Sequence, residues 1–146
     1  MSASDAADVP VDHSGLRVMS TEECMERLSR AGLGRLGFVL AGEVTVLPVH
    51  HLVHGMELYF RTSGGSKIEA AADHSAVGFE IDDYDRATVT GWSVSVSGTA
   101  SLVDDEQLAE ELAGLDDAPW PGGDPSDSVW VRIRPDQISG RELLPH

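Results

Sequence analysis

The segment richest in potential chemistry is Arg61-Thr62-Ser63-Gly64-Gly65-Ser66-Lys67, in which two cations and three hydroxyls surround a pair of glycines. Residues 57–62 read as a strand and those after Ser66 as the start of a helix, so the glycines form the turn between them. A strand that stops at glycines and feeds a helix leaves backbone N–H groups pointing outward, and the positive end of the helix dipole adds to them. Arg61 brings a planar fork of donors, Lys67 a point charge, and Thr62, Ser63 and Ser66 hydroxyls; together they suit a phosphate monoester. An ordinary glycine turn capped by Ser66, with two solvated cations, fits the same residues. The G-x-x-x-x-G-K-[ST] spacing of a nucleotide P-loop is absent.

The background makes those cations stand out. The chain of 146 residues carries 25 acidic against 10 basic side chains, a net charge of −15. Such a field repels phosphate backbones and anionic membranes, so no nucleic-acid or membrane partner is expected. The length suits one domain, placed at 16–146, after a flexible N-terminal tail over 1–15 that lacks apolar periodicity. That tail has neither the basic nor the apolar region of a signal peptide, and no apolar run reaches transmembrane length. A single Cys24 rules out an internal disulfide and fits a reducing, cytoplasmic setting.

The elements that must hold the turn follow from periodicity. Ser20-Thr21-Glu22-Glu23 is a capping box, and the spacing of Met25, Leu28 and Ala31 predicts a helix over 21–31. The period then shortens to two. Strands are expected over 34–40 and 44–53, the second interrupted by Pro48, which implies an edge or a bulge. After the turn and a short helix come a strand over 76–81, a polar loop over 82–90 and a strand over 91–103. A helix over 104–115 leads to an irregular loop over 116–127 carrying Trp120. A strand over 128–134 is expected to stop at Pro135, with a short one over 137–143 after it. Six strands in hairpin order, with brief helices at the turns, point to a closed antiparallel barrel rather than βαβ units.

The order of GRLGFV, a strand with a central Pro-Val, YFRTSGGSK, FEIDD, GWSVSVSG and VWVRIRP resembles the pyridoxamine 5′-phosphate oxidase-like, FMN-binding split-barrel proteins, in particular their short actinobacterial members. The resemblance spans 21–143. It implies a mainly β fold, a six-stranded antiparallel split β-barrel with short flanking helices. It implies a homodimer with FMN at the subunit interface and an oxidoreductase acting on a small molecule. Arg61, Thr62, Ser66 and Lys67 would surround the phosphate and ribityl chain, and the backbone at Pro48, Val49 and His50 would pass the isoalloxazine edge. Trp92, Ser93 and Val94 would approach from the partner subunit, with Trp130 and Arg132 completing the site. The R-L-H-D-R-type C-terminal signature of true pyridoxamine 5′-phosphate oxidases is missing from RIRPDQISGRELLPH, so vitamin B6 oxidation is not expected.

Other clusters support little. His50, His51 and His54 do not all share one face of a strand, and no Cys or carboxylate near them completes a metal set. Glu80, Asp82, Asp83 and Asp85 lack the glycine of a calcium loop. No G-x-S-x-G elbow or convincing proton donor appears, so no catalytic residue is assigned. Three alternatives to an FMN oxidoreductase remain: a barrel that only sequesters flavin, a haem binder using one of the histidines, and a deazaflavin-dependent reductase.

Overall fold

The structure, a computed structural model, describes residues 9–116 and 125–145. In chain order the elements are β1 (Arg17–Met19), α1 (Thr21–Arg30), β2 (Leu33–Leu40), β3 (Glu43–His54), β4 (Glu57–Ser63), α2 (Lys67–Ala71), β5 (Asp73–Asp85), β6 (Thr90–Leu102), α3 (Glu106–Leu115) and β7 (Ser128–Leu143). All pairings are antiparallel, in the order β1-β7-β4-β3-β2-β5-β6, and a further β6–β7 ladder closes the circle. The six-stranded barrel expected from the sequence is therefore present. The seventh strand, β1, is a three-residue addition that pairs with 140–142 of β7.

Two stretches differ from expectation. Pro135 does not end a strand: β7 runs unbroken through it and absorbs the expected short strand over 137–143. Pro135 pairs with Gly98, at the point where the β6–β7 register shifts, and a bulge tolerates the missing N–H. A Cβ at Gly98 would lie 2.4 Å from the Arg134 carbonyl oxygen, so the tight crossing admits only glycine. The polar loop expected over 82–90 is mostly strand, because Asp82, Asp83 and Asp85 pair in register with Ser93, Trp92 and Thr90. Their charge suits the solvated end of a hairpin as well as it suits a loop. Trp120 lies outside the described residues, as do 1–8 of the expected tail. Within 9–15, Asp12 accepts hydrogen bonds from the Ser14 and Leu16 N–H groups and pairs with Arg141 of β7 at 3.0 Å.

Strand alternation builds two apolar layers. Leu58 and Phe60 point into the barrel with Leu36, Phe38, Phe79, Val94, Val131 and Ile133, whereas Tyr59 faces outward. Outside, α3 lays Leu112 over Tyr59 and Trp130, so one face of β4 and β7 is core and the other supports a helix. The capping box holds as read: Ser20 Oγ accepts from Glu23 N and Glu23 Oε1 from Ser20 N. Among the described residues no helix is long and apolar enough to cross a membrane.

α1 is fixed to the barrel through a buried histidine. The ring of His51 packs edge-on against Phe79 at 4.9 Å, and its Nε2 lies 2.9 Å from the Leu28 carbonyl. A carbonyl only accepts, so Nε2 carries the proton; the buried Nδ1 has no partner. Burial pulls the His51 pKa below its ordinary 6.5, because charging the ring there costs solvation. The unfolded chain thus binds this proton more readily, and stability drains away as the pH falls below 6.5. Denaturation followed from pH 8 to 5 should show that loss, and His51→Gln should flatten this part of the profile.

Candidate functional site

β3 and β4 are paired only from His51↔Phe60 to His54↔Glu57. Beyond that point β3 keeps to β2 over 43–50 and β4 keeps to β7 over 61–63, so the two strands part. The split leaves the backbone edge at Pro48, Val49 and His50 facing the one at Arg61, Thr62 and Ser63, each with a strand on its far side only. Pro48 stands where one side of β3 is free, in keeping with an edge position. The side chains of Pro48 and His50 point outward, while Val49 is core, so only the Val49 backbone reaches the opening.

At the end of β4 lies the glycine turn. Gly65 has φ +79°, a conformation that disfavours any side chain, and a Cβ at Gly64 would sit 3.0 Å from the Asp127 carbonyl oxygen. Thr62 Oγ1 and Ser66 Oγ are 2.9 Å apart, and Ser66 caps α2 by accepting from Glu69 N at 3.1 Å. The turn's N–H groups are not directed freely outward, which corrects the expectation from sequence. Gly64 N donates to Asp127 O at 2.8 Å, Gly65 N to Glu69 Oε1 at 2.9 Å, and Ser66 N to Ser63 O at 3.2 Å. A tight turn satisfies its own donors, and Glu69 takes the place an anion would have. Ser66-x-x-Glu69 carries the same pattern as Ser20-x-x-Glu23, so this carboxylate was visible in the sequence yet not used. Lys67 is exposed and has no ion-pair partner among the described residues.

Arg61 leaves β4 on the opposite face from Thr62, as strict alternation requires. Its guanidinium lies 4.7 Å from the Trp130 ring centre, and its Nε is 3.3 Å from Asp116 Oδ2 at the end of α3. That geometry is an ion pair without a hydrogen bond, and the buried Nε–H finds no acceptor. Two positions along β7, Arg132 donates to the Tyr59 hydroxyl at 3.1 Å, which in turn donates to Glu57. Arg134 reaches Glu57 as well, at 3.0 Å. Arg61, Trp130 and Arg132 therefore form an outer ladder beside α3, while Thr62, Ser66 and Lys67 gather at the turn.

The remaining residues stand far off. Trp92 pairs with Glu142 of β7 and Arg61 with Trp130. Twelve positions of β7 separate those partners, on the order of 40 Å of strand. Trp92 is half-buried beneath the Arg27 guanidinium, 4.8 Å away, and lines a cleft of about 250 Å³ with Asp83, Tyr84, Thr90 and Glu142. Ser93 is half-buried, and Val94 is fully inside the core, so its side chain reaches no ligand. The histidines diverge: His50 Nδ1 lies 3.2 Å from Gly32 O, His51 is sealed in the core and His54 pairs with Glu111 at 3.3 Å. Among the described residues no three His, Cys, Asp or Glu side chains converge on a metal position.

Comparison with known proteins bears on this geometry. A sequence profile described as pyridoxamine 5′-phosphate oxidase matches residues 20–142. An uncharacterised protein of Mycobacterium tuberculosis is 35% identical over 132 residues, covering 86% of this chain and 84% of that one. The structure of the FAD-binding protein from Mycobacterium smegmatis superposes with a TM-score of 0.74 at 34% identity, over 87% of this chain and 99% of the other. An FAD-binding protein from Mesorhizobium loti gives 0.71 at 28% identity, over 88% and 99%. The split barrel and the match along nearly its whole length agree: this chain belongs to the pyridoxamine 5′-phosphate oxidase family.

Proposed function

We propose that this chain is a flavin-binding protein that works as a homodimer, with FMN held in the β3–β4 split and small-molecule oxidation–reduction as its activity. The observation that carries the reading is the split itself: two backbone edges with one strand partner each, ending at a turn that bears Thr62, Ser66 and Lys67. A flat ring can lie along such an edge and exchange hydrogen bonds with it, while the turn receives a phosphate. The FAD-binding proteins of M. smegmatis and M. loti support a flavin as the ligand class. The short turn, built around one cluster of phosphate donors, favours FMN within that class.

The residues present fit a phosphorylated ligand under one condition. Lys67 is free to swing over the turn, and the Thr62 and Ser66 hydroxyls already point at each other. Glu69 must let go of Gly65 N–H, which exchanges an internal carboxylate for the ligand's phosphate. Arg61 acts indirectly: stacked on Trp130, it fixes the last stretch of β4 and so the position of Thr62. When bound, a flavin supplies reversible transfer of two electrons as a hydride. The chain's part is to bind, orient and shield that ring.

The partner copy belongs to the proposal because the family resemblance puts Trp92 and Ser93 at the flavin. Trp92 and Ser93 lie at the far end of β7 from the turn, so they join the same flavin only if a second chain brings them. The name-giving reaction of the family is not part of the proposal, since the C-terminal basic signature is absent from 132–146. Cytoplasmic location is proposed from the lone, buried Cys24.

The freshly purified protein should show the twin visible bands of a flavin and release FMN on heating. A colourless protein that ignores added FMN and FAD overturns the reading. Steady oxidation of NADH or NADPH with an added acceptor separates an enzyme from a storage protein. Lys67→Ala should weaken flavin binding by roughly ten- to a hundredfold with little change in melting temperature, as for loss of one charge-assisted hydrogen bond. Arg61→Ala should behave differently, lowering stability by about 1–2 kcal/mol through the lost stacking and ion pair.

A further inference from the structure

Two helices of this chain open with the same Ser-x-x-Glu sequence, and their carboxylates do different things. At α1, Glu23 Oε1 reaches back to the N–H of the capping residue itself, Ser20, at 3.2 Å, and Arg17 meets its charge at 2.6 Å. At α2 the corresponding N–H is already used, because Ser66 N donates to Ser63 O at 3.2 Å. Glu69 therefore reaches one residue further, past the cap, to Gly65 N–H at 2.9 Å. No cation pairs with Glu69 among the described residues. Its negative charge thus stands uncompensated on the turn that also carries the Thr62 and Ser66 hydroxyls and Lys67.

The contact can open without disturbing the fold around it. Ala71 and Ala72 are buried and Ile68 packs on the barrel core, so the backbone of α2 is fixed from its other face. Ser66 Oγ keeps its hold on Glu69 N at 3.1 Å whatever the carboxylate does. Letting go of Gly65 is then a rotation of one half-buried side chain, with no helix to unwind. The space beside Gly65 is clear, since a Cβ there would meet nothing within 4 Å. A carboxylate accepting that N–H does what a phosphate oxygen would do in its place, and the two cannot share one donor. Once displaced, Glu69 stays tethered next to the ligand and repels a phosphate monoester, which carries nearly two negative charges at pH 7.

We infer that Glu69 is a carboxylate latch on the phosphate end of the flavin site, holding Gly65 N–H until a phosphate displaces it and hastening the ligand's departure afterwards. FMN is thereby held as an exchangeable ligand. The latch also narrows the margin by which the site prefers FMN over riboflavin, since riboflavin has the same ring and no phosphate to be opposed. The inference rests on the FMN site proposed above and assigns a residue to its control.

Titration of flavin-free protein with FMN and with riboflavin tests it, each followed by flavin fluorescence, in the wild type and in Glu69→Gln. The amide oxygen of glutamine can still accept from Gly65 N–H, so the variant should keep the wild-type circular dichroism and melting temperature. It should bind FMN roughly tenfold more tightly and release it correspondingly more slowly, as for removal of one like charge a few ångströms away. Riboflavin affinity should change by less than about twofold, so the ratio between the two ligands widens. Glu69→Ala, which removes the charge without offering an acceptor, should tighten FMN as well. Glu110→Gln makes the same change of net charge on the exposed side of α3 and should alter neither affinity. A wild type that binds FMN while Glu69→Gln binds it no more tightly, or gains equally for riboflavin, overturns the latch and leaves the flavin site standing. Failure of the wild type and both Glu69 variants to bind FMN or FAD overturns the site and the latch together.

Discussion

β7 is the strand on which the barrel depends. It runs for 16 residues, pairs with β4 over its first half and with β6 along most of its length, and takes β1 at its end. Without the β6–β7 ladder the other pairings describe an open sheet with two exposed edges, the arrangement that sheet proteins avoid. Along the β6–β7 ladder Ser97 pairs with Gln137 and Gly98 with Pro135, so Asp136 is the extra residue of a bulge in β7 beside the proline. Close approach of the Arg134 carbonyl excludes a side chain at Gly98, which ties one glycine to the closure of the whole barrel.

Closure at one seam permits an opening at another. β3 is shared between β2 and β4 without overlap, 43–50 for one and 51–54 for the other, so the wall divides without losing a strand. Backbone groups on the divided edges need partners, and a ligand with ring nitrogens and carbonyls can provide them. His51 sits at the point of division, with its ring inside the barrel and its donor on the Leu28 carbonyl. The same residue thus fixes α1, packs against Phe79 and marks where the strands separate.

Electrostatics divides the chain's few cations by role. Arg17 is held by Glu23 and Glu142 and fastens α1 to β7. Arg61, Arg132 and Arg134 are used on the outer face with Asp116, Tyr59 and Glu57. In so acidic a molecule most arginines are internal ties, and Lys67 is the cation at the turn left available to an outside anion. Glu69 already accepts from Gly65 N–H, so any anion brought to the turn would compete with a carboxylate in place.

How much of this was legible beforehand depends on the range of each interaction. The sequence alone determined what is local: the Ser20 capping box, the period-two runs, the glycine turn after β4, and a barrel rather than βαβ units. Those features follow from backbone sterics and side-chain periodicity within a few residues, which any reading of the chain can follow. Only the tertiary structure decided that Arg61 turns away from Thr62 toward Trp130, because that depends on which face α3 covers. It also decided that β7 passes through Pro135, since a strand proline needs a bulge or a free edge, and the β6–β7 register places a bulge at the adjacent Asp136. Trp92 and the turn lie at opposite ends of one strand for the same kind of reason: register across the β6–β7 seam is a long-range property that no short window of sequence contains.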